Sequence, residues 1–135
     1  MTTAPVFGYQ LLVDLYECKP GVCDDLNYCY EFLDKIVGVL GMTKQAPPYI
    51  FMSPAEFPEK AGLSGWVPLI ESNVGIHTLS VKNYISIDVY SCKQYDPVAI
   101  EAWVKDYFGA GLVDSQFIKR GLDYFKIQMS EGQSA

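Results

Sequence analysis

Histidine occurs once in this chain, at His77, and no two of its four cysteines form a CxxC pair. A zinc site would have too few ligands at workable spacing, because such sites draw three or four His and Cys from short intervals. Basic residues are also sparse: ten Lys and Arg against sixteen Asp and Glu give a net charge of -6 and a pI of about 4.6. Such a surface repels phosphate backbones, which sets nucleic acid aside and better suits a cationic small molecule. No stretch approaches the ~20 apolar residues of a membrane span, and Met1-Thr2-Thr3-Ala4-Pro5 lacks the basic and apolar regions of a secretion signal. A cytoplasmic setting with reduced thiols at Cys18, Cys23, Cys29 and Cys92 is expected, with no membrane partner. Phosphate-loop, GxGxxG, HExxH and GxSxG signatures are missing too, so the common nucleotide, zinc and esterase chemistries have no sequence support.

What is present is an ordinary globular composition, 50% hydrophobic and 19% charged over 135 residues. This is enough for a single domain spanning 1–135 around one core, without metal or disulfide support. Between Val6 and Cys18, Tyr9, Leu11, Val13 and Leu15 alternate with Gln10, Leu12, Asp14 and Tyr16, the period of a strand. Pro20-Gly21 interrupts it. Asp24 or Asp25 then caps a helix in which Leu26, Cys29, Leu33, Ile36, Val37 and Leu40 recur at helical spacing up to Gly41. Pro47-Pro48 leads into a short strand, Tyr49 to Met52, and Ser53 to Gly65 reads as an ordered loop. Further strands are predicted over Trp66 to Ile70, Gly75 to Ser80 and Tyr84 to Cys92.

Asp96-Pro97 opens a second helix, with Val98, Ala102 or Trp103, Tyr107 and Phe108 on its buried face and Gly109 and Gly111 as its stop. Two last strands, Leu112 to Lys119 and Leu122 to Met129, are predicted around a tight turn at Arg120-Gly121, ahead of a frayed tail, Ser130 to Ala135. The order β-α-β-β-β-β-α-β-β implies an α+β two-layer sandwich: an antiparallel β-sheet with both helices on one face. The other face is then covered by another subunit or by water.

Chemistry-bearing residues concentrate between positions 62 and 92. Along Tyr84 to Cys92, Ile85, Ile87 and Val89 share one face, while Tyr84, Ser86, Asp88, Tyr90 and Cys92 share the other. A two-residue turn at Lys82-Asn83 would pair Val81 with Tyr84 and set His77 opposite Asp88, gathering His77, Asp88 and Cys92 in one patch. Taken singly, a strand histidine, a cysteine or a serine is most often structural.

Taken together, Gly62-Leu63-Ser64-Gly65, Glu71-Ser72, Ile76-His77-Thr78 and Ile87-Asp88-Val89-Tyr90-Ser91-Cys92 resemble the prokaryotic S-adenosylmethionine decarboxylases. The family's spacing is reproduced by Ser64, by Ser72 eight residues later, by His77 five beyond that and by Cys92 a further fifteen on. The opening strand and the Asp96-Pro97 helix start extend the likeness over most of the chain.

The resemblance implies a self-processing proenzyme. The Ser72 hydroxyl would attack the Glu71 carbonyl, the amide would become an ester, and elimination with loss of ammonia would leave a pyruvoyl group derived from Ser72. Such a ketone, joined to the substrate amine as a Schiff base, absorbs the electrons that decarboxylation releases, which ordinary side chains cannot. The resemblance also assigns Ser64 and His77 to self-cleavage, His77 as the base of the elimination, and Cys92 as the acid that returns a proton to the α-carbon. A homodimer is expected, because the family builds its sites near subunit contacts. Tyr9, Tyr49, Phe51 and Phe57 are candidates for a substrate-binding wall, with Glu71 beside them.

The chain departs from the family pattern at Asn73, where histidine usually follows the cleavage serine, and at Leu79-Ser80-Val81, where Trp-Pro-Glu is usual. Val81 cannot hold ribose hydroxyls as that glutamate does. Lys93 replaces a glycine and is expected to bring positive charge toward a site for a sulfonium. These changes touch the substrate side more than the reaction, and leave two alternatives: a pyruvoyl-dependent arginine or ornithine decarboxylase on the same fold, or an unprocessed, non-catalytic homologue.

Overall fold

The computed structural model describes residues 4–129, and the expectations for Met1 to Thr3 and for the tail from Ser130 lie outside them. Strand β1, Gly8–Tyr16, is followed after a 3-10 turn at Val22–Asp24 by helix α1, Leu26–Leu40. Strands β2, Tyr49–Met52, β3, Leu63–Leu69, β4, Ser72–Leu79, and β5, Tyr84–Ser91, come next, then helix α2, Pro97–Phe108, and strand β6, Leu112–Arg120. The strands form one antiparallel sheet in the order β2-β3-β4-β5-β1-β6. Both helices pack on one face of it, as expected.

Alternation along the strands produces this two-sided arrangement. Leu11, Val13 and Leu15 of β1, Val74, Ile76 and Thr78 of β4, and Ile85, Ile87 and Val89 of β5 are buried on the helix side. Against them α1 sets Phe32, Leu33, Ile36 and Val37, and α2 sets Ile100, Val104 and Phe108. Each apolar side chain among them contributes roughly 1.5–3 kcal/mol through removal from water. Asp25 caps α1 by accepting from the Tyr28 N–H at 3.0 Å, and Asp96 caps α2 by accepting from Val98 and Ala99. Gly65 has no room for a side chain: a Cβ there would lie 2.9 Å from Leu33 Cδ1 and 3.1 Å from Ile50 Cγ1 and Ile76 Cγ2. The absent side chain lets α1 rest directly on β3.

Several sequence expectations are corrected. Val98 is exposed and Ile100, Val104 and Phe108 form the buried stripe of α2, with Trp103 and Tyr107 packed at its edge. Strand β3 starts at Leu63, inside the expected loop, and β4 at Ser72 rather than Gly75. No strand forms over Leu122 to Met129. The chain instead closes a 3-10 turn, Tyr124–Lys126, through local bonds from Tyr124 N to Gly121 O, Lys126 N to Asp123 O and Ile127 N to Tyr124 O. Between β4 and β5 the turn is a 3-10 segment, Ser80–Lys82, followed by left-handed Asn83, so Leu79 rather than Val81 pairs with Tyr84. His77 therefore faces Ser86, and Asp88 faces Gly75. The shift is two residues, an even number, so each side chain keeps its expected face.

Candidate active site

The Glu71–Ser72 bond lies where a two-residue turn, Ile70-Glu71, re-enters the sheet, since Leu69 pairs with Ser72 across it. Three hydrogen bonds fix this turn. The Ile70 N–H donates to Thr43 O at 2.9 Å, and the Thr43 N–H donates to Glu71 Oε1 at 3.1 Å. The Glu71 carbonyl, the group the Ser72 hydroxyl would attack, accepts from the Cys92 N–H at 2.9 Å. Charge developing on that oxygen would thus meet a donor already in place. Glu71 is expected near substrate, but in the structure its carboxylate is engaged by the Thr43 backbone.

Ser64 and His77 are cross-strand partners on the uncovered face of the sheet. Ser64 Oγ and His77 Nδ1 are 3.0 Å apart, hydrogen-bonding distance, so the pair can pass a proton between hydroxyl and imidazole. Sequence spacing foresees the residues but not their direct pairing, which depends on β3 beginning three residues before Trp66.

The structure does not gather every expected residue in one chain. His77 lies five residues along β4 from Ser72, about 16 Å at ~3.3 Å per residue. Cys92, exposed just beyond the end of β5, stands at the Ser72 end, since Ser91 pairs with Ser72. The expected His77-Asp88-Cys92 patch is therefore replaced by two centres, Ser64 with His77 and Ser72 with Cys92, separated along β4.

Asp88 sits between the two centres. Burial pushes its carboxyl above the usual carboxylate range, with Asp14 adding to the rise and a hydrogen bond with Gln10 opposing it. Tyr84, on the same face, donates to Asp14 Oδ1 at 2.6 Å and is pushed up to about 12, chiefly by burial. Lys93 does not bring its charge to the site. Its ammonium donates to Gly41 O at 2.7 Å and so neutralises the negative end of α1.

Two open clefts bear on the site, one lined by Ser64 itself and the other in part by Leu79, further along β4 from His77. One, about 410 Å³, is lined by Tyr49, Phe51, Ser64, Gly65 and Trp66, with the Tyr49 and Trp66 rings stacked at 6.0 Å. Tyr49 and Phe51 thus stand beside Ser64 in this cleft. Tyr9 does not join them: it shares the helix-side alternation of Leu11 and stacks on Phe117. Phe57 is exposed in the loop and lines neither cleft. The second cleft, about 310 Å³, is lined by Tyr16, Glu59, Leu79, Val81, Lys82 and Tyr84. Glu59 thus lines the same cleft as Val81. Sequence reasoning missed Trp66 and Glu59. Period-two alternation from Ser64 would have found Trp66, whereas no local signal marks Glu59. Among the described residues no group of three or more His, Cys, Asp and Glu is placed to hold a metal, and no helix is long and apolar enough to cross a membrane.

Fold and site define a class: a two-layer α+β domain with a hydrogen-bonded Ser–His pair on its open sheet face. Residues 9–121 match the family profile described as S-adenosylmethionine decarboxylase. The chain belongs to the S-adenosylmethionine decarboxylase family. It is 31% identical over 115 residues to an S-adenosylmethionine decarboxylase proenzyme of Clostridium botulinum (strain Hall), covering 84% of this chain and 94% of that protein. To the proenzyme of Pyrococcus furiosus it is 30% identical over 117 residues, covering 86% and 80%. The crystal structure of the adenosylmethionine decarboxylase from Aquifex aeolicus shares the fold, with a TM-score of 0.75 at 22% identity over 98% of this chain and 99% of that one.

Proposed function

We propose that this chain is the proenzyme of a pyruvoyl-dependent decarboxylase that acts on S-adenosylmethionine and serves polyamine synthesis. The observation that carries the proposal is the hydrogen bond from the Cys92 N–H to the Glu71 carbonyl, which supports attack at the Glu71–Ser72 peptide by offering a donor to the oxygen that would gain charge. Ser72 Oγ adds to that carbonyl carbon, the C–N bond breaks, and Glu71 is left esterified to the serine oxygen. A base then removes the Cα proton of residue 72 and the Glu71 carboxylate departs. The dehydroalanine left behind tautomerises to an imine, and water releases ammonia from it.

His77 is the base in this scheme, with Ser64 holding its imidazole. At about 16 Å along β4 it cannot reach residue 72 of its own chain. The occupant proposed for the uncovered face is therefore a second copy of this chain. Two-fold pairing of open faces sets Ser64 and His77 of one subunit toward the Glu71–Ser72 end of β4 and Cys92 of the other. Apolar side chains exposed on that face, including Tyr49, Phe51, Trp66 and Ile118, favour the same homodimer.

The pyruvoyl group supplies an electron sink for the substrate's α-carbon. Around it the chain's own residues bind and protonate: the cleft of Tyr49, Phe51 and Trp66 offers aromatic faces to a sulfonium and a purine, and the Cys92 thiol returns a proton to the α-carbon. Glu59 provides the carboxylate that Val81 lacks for substrate hydroxyls. No observation favours arginine or ornithine as substrate, and the relatives named above are S-adenosylmethionine decarboxylase proenzymes. A cytoplasmic location follows from the sequence expectation.

Release of labelled carbon dioxide from carboxyl-labelled S-adenosylmethionine, arginine and ornithine tests the assignment. Release from the first alone is expected, with none from Ser72→Ala. Equal release by Ser72→Ala, or release only from the amino acids, contradicts it.

A further inference from the structure

The β3–β4 ladder has Ser64 opposite His77 as its last backbone rung. Beyond that rung a side chain takes over. Thr78 is fully buried, and its Oγ1 accepts from the Leu63 N–H at 2.8 Å while donating to the Cys23 carbonyl at 2.7 Å. Leu63 immediately precedes Ser64, and Thr78 immediately follows His77. One hydroxyl thus ties together the residue before the serine, the residue after the histidine and the turn at Val22–Asp24.

The same point is clasped from the other side. Gly62 crosses so close to β4 that a Cβ on it would lie 2.1 Å from Thr78 O. The Ser80 N–H also donates to Ala61 O at 3.0 Å. Without the Thr78 hydroxyl, the end of β3 loses the tie nearest the rung where a 3.0 Å contact between two long-range partners has to be kept, and only the bonds from Ser80 to Ala61 O, two residues further out, remain. Neither Ser64 nor His77 is held by burial, since both are exposed. The register of their backbones is what brings them together.

We propose that Thr78 is a positioning residue: its hydroxyl holds Ser64 and His77 in hydrogen-bond register and thereby sets the rate of the elimination step of self-cleavage. The role rests on the self-processing scheme above. Within that scheme a misplaced imidazole slows removal of the Cα proton of residue 72 without hindering the earlier attack of Ser72 on Glu71. Loss of the hydroxyl should therefore make the ester between Glu71 and Ser72 accumulate, which a general loss of stability would not do.

Freshly purified full-length chain is followed over time for cleavage, with hydroxylamine added to samples to open the ester, for the unaltered protein, Thr78→Val, Thr78→Cys and Thr78→Ser. Val and Cys are each expected to slow the appearance of mature chains by about ten- to a hundredfold, with a hydroxylamine-sensitive fraction building up. Ser, which keeps the hydroxyl, should recover the rate to within about threefold. Cys covers the case in which Val does not fold. Cleavage by a folded Val or Cys variant at the unaltered rate, with no ester, overturns the proposal, as does failure of Ser to recover the rate.

A second readout does not depend on cleavage. In a Ser72→Ala background the only histidine of the chain gives a single set of imidazole NMR signals. Adding Thr78→Val, or Thr78→Cys, should move them toward their positions in Ser64→Ala, while Thr78→Ser leaves them in place. Unmoved signals in folded Val or Cys proteins overturn the positioning role. If the unaltered chain never cleaves, the self-processing scheme falls, and the imidazole signals still decide whether Thr78 sets the pair.

Discussion

Replacing Gly62 by alanine probes the join between fold and site at its tightest point. The residue has φ +147°, a region L side chains rarely adopt, and the new Cβ would sit 2.1 Å from the backbone oxygen of Thr78 and 2.8 Å from its carbonyl carbon. A flexible side chain could turn away from such a contact, but this oxygen belongs to β4, where Thr78 pairs with Ile85 of β5. Backbone strain of this kind costs about 1–3 kcal/mol. A displaced hydrogen bond at the Leu63–Thr78 join adds about 1 kcal/mol. The sum, about 2–4 kcal/mol, corresponds to a fall in melting temperature of roughly 6–15 °C for a chain of this length. Thermal unfolding of Gly62→Ala and its parent, both with Ser72→Ala so that each stays one chain, measures the difference. A melting temperature within about 2 °C of the parent would refute the claim that β3 is clasped to β4 at Gly62.

Three further outcomes follow from particular side chains. Asp88 has its carboxyl raised by burial, so the folded state holds that proton more tightly than the unfolded state, and stability falls as pH rises through the folded value. Asp88→Asn, which mimics the neutral form, should match its parent in urea midpoint near pH 3 and gain on it toward pH 6; an unchanging difference would contradict the burial argument. Lys93→Gly should lose only about 0.3–1 kcal/mol, through the end of α1, and keep its decarboxylation rate, whereas a large change in rate would place the ammonium in the site after all. Cys92→Ala retains the backbone N–H on Glu71 O and should therefore still cleave, but turn over at least about tenfold more slowly; failure to cleave would mean that the thiol, not the N–H, serves that step.

Strongly periodic elements were legible in the sequence. Strand β1, helix α1 between its Asp25 and Gly41 caps and strand β5 stand close to where alternation and caps put them, because burial of one face leaves a clear period. The start of β3 was hidden by Gly62 and Gly65, which read as loop residues yet serve close backbone approach and helix packing. The β4–β5 register was missed because the connection spends three residues on a 3-10 turn and needs left-handed Asn83, which no dipeptide pattern announces. Leu122 to Met129 alternated like a strand but satisfied its backbone groups locally.

For the site, the spacing of Ser64, Ser72, His77 and Cys92 drew attention to these residues, while their grouping was beyond reach of sequence. Distance along an extended strand keeps Ser72 and His77 apart in one chain, and the pairing of the Thr78 hydroxyl with Leu63 and Cys23 joins residues 15 and 55 positions away. Such contacts leave no local period to read.

The central claim, that a serine inside this chain is turned into the electron-accepting group of a decarboxylase, is tested most directly by the intact mass of the purified, unaltered protein under denaturing conditions. Two species divided between Glu71 and Ser72 are expected, the second lacking a free amino terminus and reactive toward carbonyl reagents. A single 15.1 kDa chain that nonetheless releases carbon dioxide from S-adenosylmethionine would contradict it.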